Sequence, residues 1–298
     1  MYQEITIQFT DVCNLECPYC FSISNGQFIS IEDFNFFKIF CMNTKIDCVH
    51  ITGGEPSLHP FFDEMTNSIA SIYPIVLYSN MTYKSFDILY GENVFILANY
   101  NKRNCSKKEW TMYCNNIEIV QRSKAKVAIG LTLYDDNYID DIKNVIYFCM
   151  DNKISHLRIS QSVSLRYNCK GLDKHQVVDL YNFVSSNIHQ WSSKGLKVYF
   201  DCPVPPCYII DKDFYNLKNY QAISSTCQPK AFVTCGLRVT HCYSTMSDNM
   251  PPLQSFTDID QIKTFSRKLI LEKTLSRNCS NGCNFNNGTP CGCPIYNI

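Results

Sequence analysis

Three cysteines stand close together near the start of the chain, in Cys13-Asn-Leu-Glu-Cys17-Pro-Tyr-Cys20, with three and then two residues between them. Four thiolates complete the coordination of a 4Fe-4S cluster, so three leave one iron with an open position. A chelating ligand such as the amine and carboxylate of an amino acid fills such a position. If that amino acid is S-adenosylmethionine, its sulfonium lies near enough to accept one electron, and a carbon–sulfur bond breaks to leave a 5′-deoxyadenosyl radical. A zinc site, or three unrelated thiols behaving as small hydrophobes, fits the same spacing.

Downstream, Thr52-Gly53-Gly54-Glu55-Pro56 combines two glycines, which let backbone come close to a neighbour or ligand, with an acidic acceptor. Taken alone it reads equally as an ordinary glycine turn. Its place just past a second β-type run, as the cysteines follow the first, sets both motifs at one edge of a sheet, where α/β proteins carry their chemistry.

The elements that must position these motifs are short apolar runs alternating with amphipathic stretches up to about residue 200. The runs are Ile5–Phe9, Cys48–Thr52, Ile75–Ser79, Val94–Ala98, Val127–Leu133 and Leu157–Ser160, each apolar enough for a parallel strand buried on both faces. Between them, Ser30 opens a Ser-x-x-Asp capping box, and Phe34, Phe37, Phe40 and Cys41 follow at helical spacing. Helical periodicity also covers His59 to Tyr73, Asp141 to Lys153 and Asp173 to Lys194. Six βα units with right-handed crossovers predict an α/β sheet, open or curled into a partial barrel. The Pro-rich stretch 201–207 then breaks regular structure, and nine of the 18 cysteines fall in the last 98 residues. Two domains are expected, 1–200 and a small cysteine-rich cap over 201–298, the latter with a hairpin at Phe232–Thr234 and Leu237–Thr240 and a helix over Asp258–Lys273.

The cysteine loop and the glycine motif together resemble the signature of the radical S-adenosylmethionine (radical SAM) superfamily, CxxxCxxC followed by GGEP after the second strand. The resemblance covers residues 3–200 and implies a partial (β/α)6 TIM-like barrel, a 4Fe-4S cluster on Cys13, Cys17 and Cys20, and S-adenosylmethionine as the chelating cofactor. It further implies Tyr19 near the adenine and Gly53, Gly54 and Glu55 at the amino group of the methionine moiety. Ser79 and Asn80 match the ribose position, although Met81 stands where the family commonly has glycine. Asn99, Thr132, Arg158 and Ser160, on strands four to six, match the looser carboxylate-binding positions. The tail, with Cys227, Cys242, Cys279, Cys283, Cys291 and Cys293, is similar to the SPASM extension or its shortened twitch form, though with altered gaps. That likeness implies an auxiliary 4Fe-4S cluster; zinc or unligated thiols remain as alternatives, and the module is expected to cap the barrel mouth.

Composition limits the partners. Lys+Arg and Asp+Glu are both 27, so no basic excess points to a large nucleic acid. Hydrophobic residues at 45% and charged residues at 18% describe a cored chain without a bilayer-length apolar run. The first residues lack the pattern of a secretory signal, and so many cysteines in so long a chain favour a reducing cytoplasm and metal binding over disulfides. An electron donor such as flavodoxin or ferredoxin is expected. Because the first barrel strand opens the chain, with no domain before it for a leader peptide, a small-molecule substrate is expected. General size and layout resemble a queuine lyase acting on a phosphorylated nucleoside, queuosine 5′-phosphate, with Arg103, Arg158, Arg166, Lys230 and Arg238 as available cations. The cysteine-rich tail instead suits a maturase that crosslinks or epimerises a ribosomal peptide, with Cys202, Cys207 or Cys235 as a hydrogen donor. A non-catalytic metal-cluster protein is the reading from another class. An exposed, incompletely ligated cluster loses iron and colour on exposure to oxygen, which anaerobic iron counting before and after exposure checks. Full retention of iron in air would indicate a site closed by a fourth protein ligand.

Overall fold

The computed structural model describes residues 3–20, 22, 24–86, 91–162, 171–203, 209, 211–224, 227, 230–242 and 250–275. Nine strands and seven α-helices occur among them. The chain divides into two compact units.

The first unit comprises Met1–Cys17, Ser22–Val127 and Pro229–Arg267. Its strands are β1 (Glu4–Gln8), β2 (Cys48–Thr52), β3 (Ile75–Ser79), β4 (Val94–Asn99), β8 (Ala231–Val233) and β9 (Val239–Thr240), ordered β4-β3-β2-β1-β8-β9. All pair in parallel except β9, which runs antiparallel to β8. The apolar runs EITIQ and CVHIT are buried almost throughout, as expected of strands covered on both faces. Helices α1 (Ile31–Asn43), α2 (Phe62–Ala70), α3 (Lys107–Arg122) and α7 (Ile259–Leu275) complete it, the last reaching past Arg267. Ser30 caps α1, its hydroxyl accepting from the Asp33 N–H at 3.0 Å, and Phe34, Phe37, Phe40 and Cys41 form the buried stripe. Phe9 meets Phe34 edge to face at a centroid distance of 5.9 Å and Phe62 at 6.5 Å.

The second unit comprises Pro18–Phe21, Ala128–Gln228 and the described part of Lys268–Ile298. Strands β5 (Lys126–Leu133, entering from the first unit), β6 (His156–Gln161) and β7 (Lys197–Phe200) pair in parallel. Helices α4 (Tyr138–Asp151), α5 (Lys174–Ser193) and α6 (Asp211–Asn219) accompany them. A complete capping box starts α5: Asp173 accepts from the Gln176 N–H at 2.9 Å while Gln176 accepts from the Asp173 N–H at 2.9 Å.

The α/β class follows expectation, and all six predicted strands are present within two residues of their expected ends. The division at residue 200 does not match the one observed. Pro229–Arg267 joins the first unit because β8 adds to the free edge of β1, with Ile5 opposite Ala231 and Ile7 opposite Val233. A three-residue apolar strand carries too little periodicity to announce that pairing in sequence. The β8–β9 hairpin and the helix after Asp258 occur as expected, whereas β7 lies at the expected boundary and α3 starts at a Ser106/Glu109 capping box. Phe37 is fully buried in the first unit. Phe37→Ala is expected to lower stability by about 3–5 kcal/mol, read as a shift in the urea midpoint at unchanged m-value.

Candidate cofactor site

The cysteine loop leaves β1 through a neck that its own polar residues close. Asp11 accepts from the N–H of Asn25 at 3.0 Å and of Gln27 at 2.8 Å, and the Thr10 hydroxyl donates to the Gln27 carbonyl at 2.7 Å. Backbone bonds Asp11 N–H to Gln27 and Ile29 N–H to Phe9 add to it. Gly26, with φ +73°, turns the chain back. Within this neck Cys13 and Cys17 are half-buried, as is Cys20 farther along the loop, and all three are thiols rather than disulfides.

The glycine motif meets the start of this loop by prolonging the β1–β2 ladder beyond the strands. Phe9 N–H donates to Thr52 at 2.8 Å, Gly54 N–H to Thr10 at 2.7 Å and Glu55 N–H to Val12 at 2.8 Å. A Cβ on Gly54 would lie 2.3 Å from the Val12 carbonyl oxygen and one on Gly53 2.9 Å from that of Thr10. Only glycine permits this approach at position 54, and the next residue in the loop after Val12 is Cys13.

Glu55 is 0% exposed, so its carboxylate depends on donors from the protein. It accepts from the Ser57 N–H at 3.1 Å, the Ser57 hydroxyl at 2.6 Å, the Ser79 hydroxyl at 2.8 Å and the Asn80 N–H at 2.7 Å. Burial pushes its pKa up, against these four donors, which favour the charged form. It ties the ends of β2 and β3 together. Ser79 is likewise spent, donating to Glu55 and accepting from the Met81 N–H at 2.9 Å. Met81 adopts φ 54°, the left-handed conformation that favours glycine. In methionine that conformation costs on the order of 1–2 kcal/mol. Asn116 offsets it by donating to the Met81 carbonyl at 2.8 Å, and the Met81 side chain is fully buried.

The structure thus brings Cys13, Gly54, Glu55, Ser79 and Asn80 into one hydrogen-bonded assembly within the first unit, with Gly53 packed against Thr10, and Asn99 ends β4 of the same sheet, half-buried. In the second unit Tyr19 lies 5.0 Å from Tyr134, centroid to centroid. Thr132 and Ser160 are opposite each other in the β5–β6 register, and Arg158 precedes Ser160 by two residues on the same face. Arg158 is ion-paired with Asp201 at 3.3 Å, and the Ser160 hydroxyl donates to the same carboxylate at 3.4 Å. Asp201 escaped sequence reasoning because it sits in the irregular stretch past β7, as did Asn14 and Thr82, polar loop residues with no motif of their own.

Among the described residues no three His, Cys, Asp or Glu side chains gather as around a single metal ion. A 4Fe-4S cluster places its thiolates on separate irons and so asks for wider spacing than one ion does. Three half-buried thiols on a loop with a braced base suit it in donor chemistry: Cys13, Cys17 and Cys20 would hold the cluster. Of the tail cysteines, Cys227 and Cys242 are half-buried, while Cys279, Cys283, Cys291 and Cys293, with Cys207 and Arg166, lie outside the described residues. Cys41 and Cys149 are core thiols, the latter pushed up to about 12 by burial. Cys235 is buried and raised to about 11, so it is a protonated thiol at neutral pH, with its S–H directed at the Gln27 side-chain oxygen at 3.7 Å.

No protein-family profile matches the chain. Over 77 residues it is 36% identical to the GTP 3′,8-cyclase of Vibrio atlanticus, 22% of each protein. Over 81 residues it is 28% identical to the probable GTP 3′,8-cyclase of Methanocella arvoryzae, 26% of each. The chain therefore matches only about a quarter of the length of these curated relatives. Among solved structures it resembles Streptococcus suis SuiB bound to S-adenosylmethionine, with TM-score 0.66 and 14% identity over 89% of this chain and 65% of that one. It also resembles anSMEcpe with bound AdoMet and Cp18Cys peptide, with TM-score 0.68 and 15% identity over 98% of this chain and 89% of that one. The likeness to these S-adenosylmethionine-bound structures is one of fold.

Gly54→Ala is expected to destabilise by about 3 kcal/mol, the upper range for forced overpacking, and to reduce iron uptake. Gly53→Ala is expected to cost less, its Cβ contact being the looser of the two. Urea midpoints and bound iron per chain measure both.

Proposed function

We propose that this chain is a radical SAM enzyme. The observation that carries the reading is the three-cysteine loop whose base is locked to the glycine motif by the Gly54–Thr10 and Glu55–Val12 backbone bonds. A 4Fe-4S cluster held there by Cys13, Cys17 and Cys20 would supply one-electron reduction of S-adenosylmethionine, and with it radical abstraction of hydrogen from an unactivated carbon. The chain's own contribution is to fix three thiols on one loop and leave the fourth position to the cofactor. An auxiliary cluster on the tail cysteines, and reduction by a flavodoxin or ferredoxin in the cytoplasm, belong to the same proposal. Among the described residues no helix is long and apolar enough to cross a membrane.

For the substrate, the reading with the better support is a peptide side chain. The peptide-bound neighbour overlays 98% of this chain, including the part beyond the signature motifs. The queuosine 5′-phosphate reading rests on size and layout alone. Two of the cations offered for its phosphate are engaged elsewhere, Arg158 with Asp201 and Arg238 with the Met250 carbonyl at 3.4 Å.

Anaerobically reconstituted protein with dithionite and S-adenosylmethionine is expected to form 5′-deoxyadenosine, and Cys17→Ala to abolish it, a loss of at least 100-fold. Fully loaded protein that never forms the product would overturn the reading. Deuterium from a labelled peptide, but not from labelled queuosine 5′-phosphate, is expected in the 5′-deoxyadenosine; the reverse pattern would reinstate the lyase.

A further inference from the structure

Asn80 was expected at a ribose, yet its side chain is fully engaged inside the protein. The Thr82 backbone N–H, which can only donate, lies 2.9 Å from one amide atom, so that atom is Oδ1 and the nitrogen faces the cysteine loop. From there Nδ2 donates to Asn14 Oδ1 at 2.9 Å and to the Cys13 sulfur at 3.7 Å. With Asn14 Oδ1 thus an acceptor, its Nδ2 donates to the Thr82 hydroxyl at 2.9 Å, and that hydroxyl returns its proton to Asn80 Oδ1 at 2.8 Å. One backbone N–H therefore sets the direction of a closed ring, Asn14 to Thr82 to Asn80 to Asn14. Bonds arranged head to tail in this way polarise one another. The ring joins the loop after β3 to the residue beside Cys13, and it leaves Asn80 with two donors and two acceptor sites all used.

Cys13 also accepts from the Leu15 backbone N–H at 3.4 Å, so two N–H groups converge on one sulfur before any metal is bound. Donors to a sulfur stabilise negative charge on it, and in iron–sulfur proteins such bonds raise the reduction potential.

We infer that Asn80 is a positioning residue for the cysteine loop, which holds Cys13 through the Asn14–Thr82 ring and raises the potential of the cluster by its N–H to the Cys13 sulfur. The inference rests on the cluster assignment proposed above. Asn80→Asp keeps the shape and the acceptor for Thr82 but removes both donated bonds and adds charge. Asn80→Ser removes them without the charge. Thr82→Val opens the ring while its backbone N–H still orients Asn80 toward the sulfur.

In the full-length chain before iron loading, amide hydrogen exchange over residues 12–17 is expected to quicken about tenfold or more in all three variants. After loading, the cluster's midpoint potential is expected to move negative in N80D, less so in N80S, and to stay near wild type in T82V. Unchanged exchange and potential in both Asn80 variants would overturn the inference, as would a shift in T82V equal to that in N80S, since general loosening would then suffice. Failure of the wild-type chain to load iron through Cys13, Cys17 and Cys20 would overturn the cluster assignment instead, and the exchange measurement would still decide the clamp.

Discussion

Two strands that continue to hydrogen-bond after they have ceased to be strands govern the rest of this molecule. The β1–β2 ladder runs on through Phe9, Thr10 and Val12 against Thr52, Gly54 and Glu55, and the cysteine loop begins where it stops. A loop of thiols would otherwise sample many conformations, at a backbone entropy cost of about 1–2 kcal/mol per residue when metal orders it. Ordering its first residues as an extension of the sheet removes part of that cost in advance. The absence of a Cβ at Gly54 makes the extension sterically possible, so a glycine far from the thiols in sequence decides whether they are presented at all.

Glu55 shows how the same edge is held laterally. A buried carboxylate is expensive unless donors surround it. Here four donors from the β2 and β3 ends converge on it, so removing any one leaves charge undercompensated and the others misplaced. The β3 end in turn accepts a left-handed methionine because Ser79 and Asn116 secure the backbone on either side. Strain is tolerated at this edge because neighbouring bonds over-determine it.

The cysteines among the described residues separate by environment. Cys41, Cys48 and Cys149 are buried core residues that behave as small hydrophobes. Those of the signature loop are half-buried, and at Cys13 a backbone and a side-chain N–H meet the sulfur. A thiol's neighbours, and not its residue type, divide packing from chemistry.

Local signals made much of this legible. The apolarity of the six runs predicted their strands, the Ser30 capping box marked a helix start, and the cysteine–glycine spacing singled out the candidate cofactor loop. Such features depend on residues within a few positions of one another, which a linear reading can weigh. What needed the folded chain were relations between distant segments: β8 beside β1 across more than 200 residues, Arg158 and Ser160 bonded to Asp201, and Glu55 and Asn80 bonded to protein partners at the β2 and β3 ends and in the cysteine loop. A polar side chain has a fixed number of donors and acceptors. Which of them remain for a ligand is settled only when folding has brought every competing partner within reach.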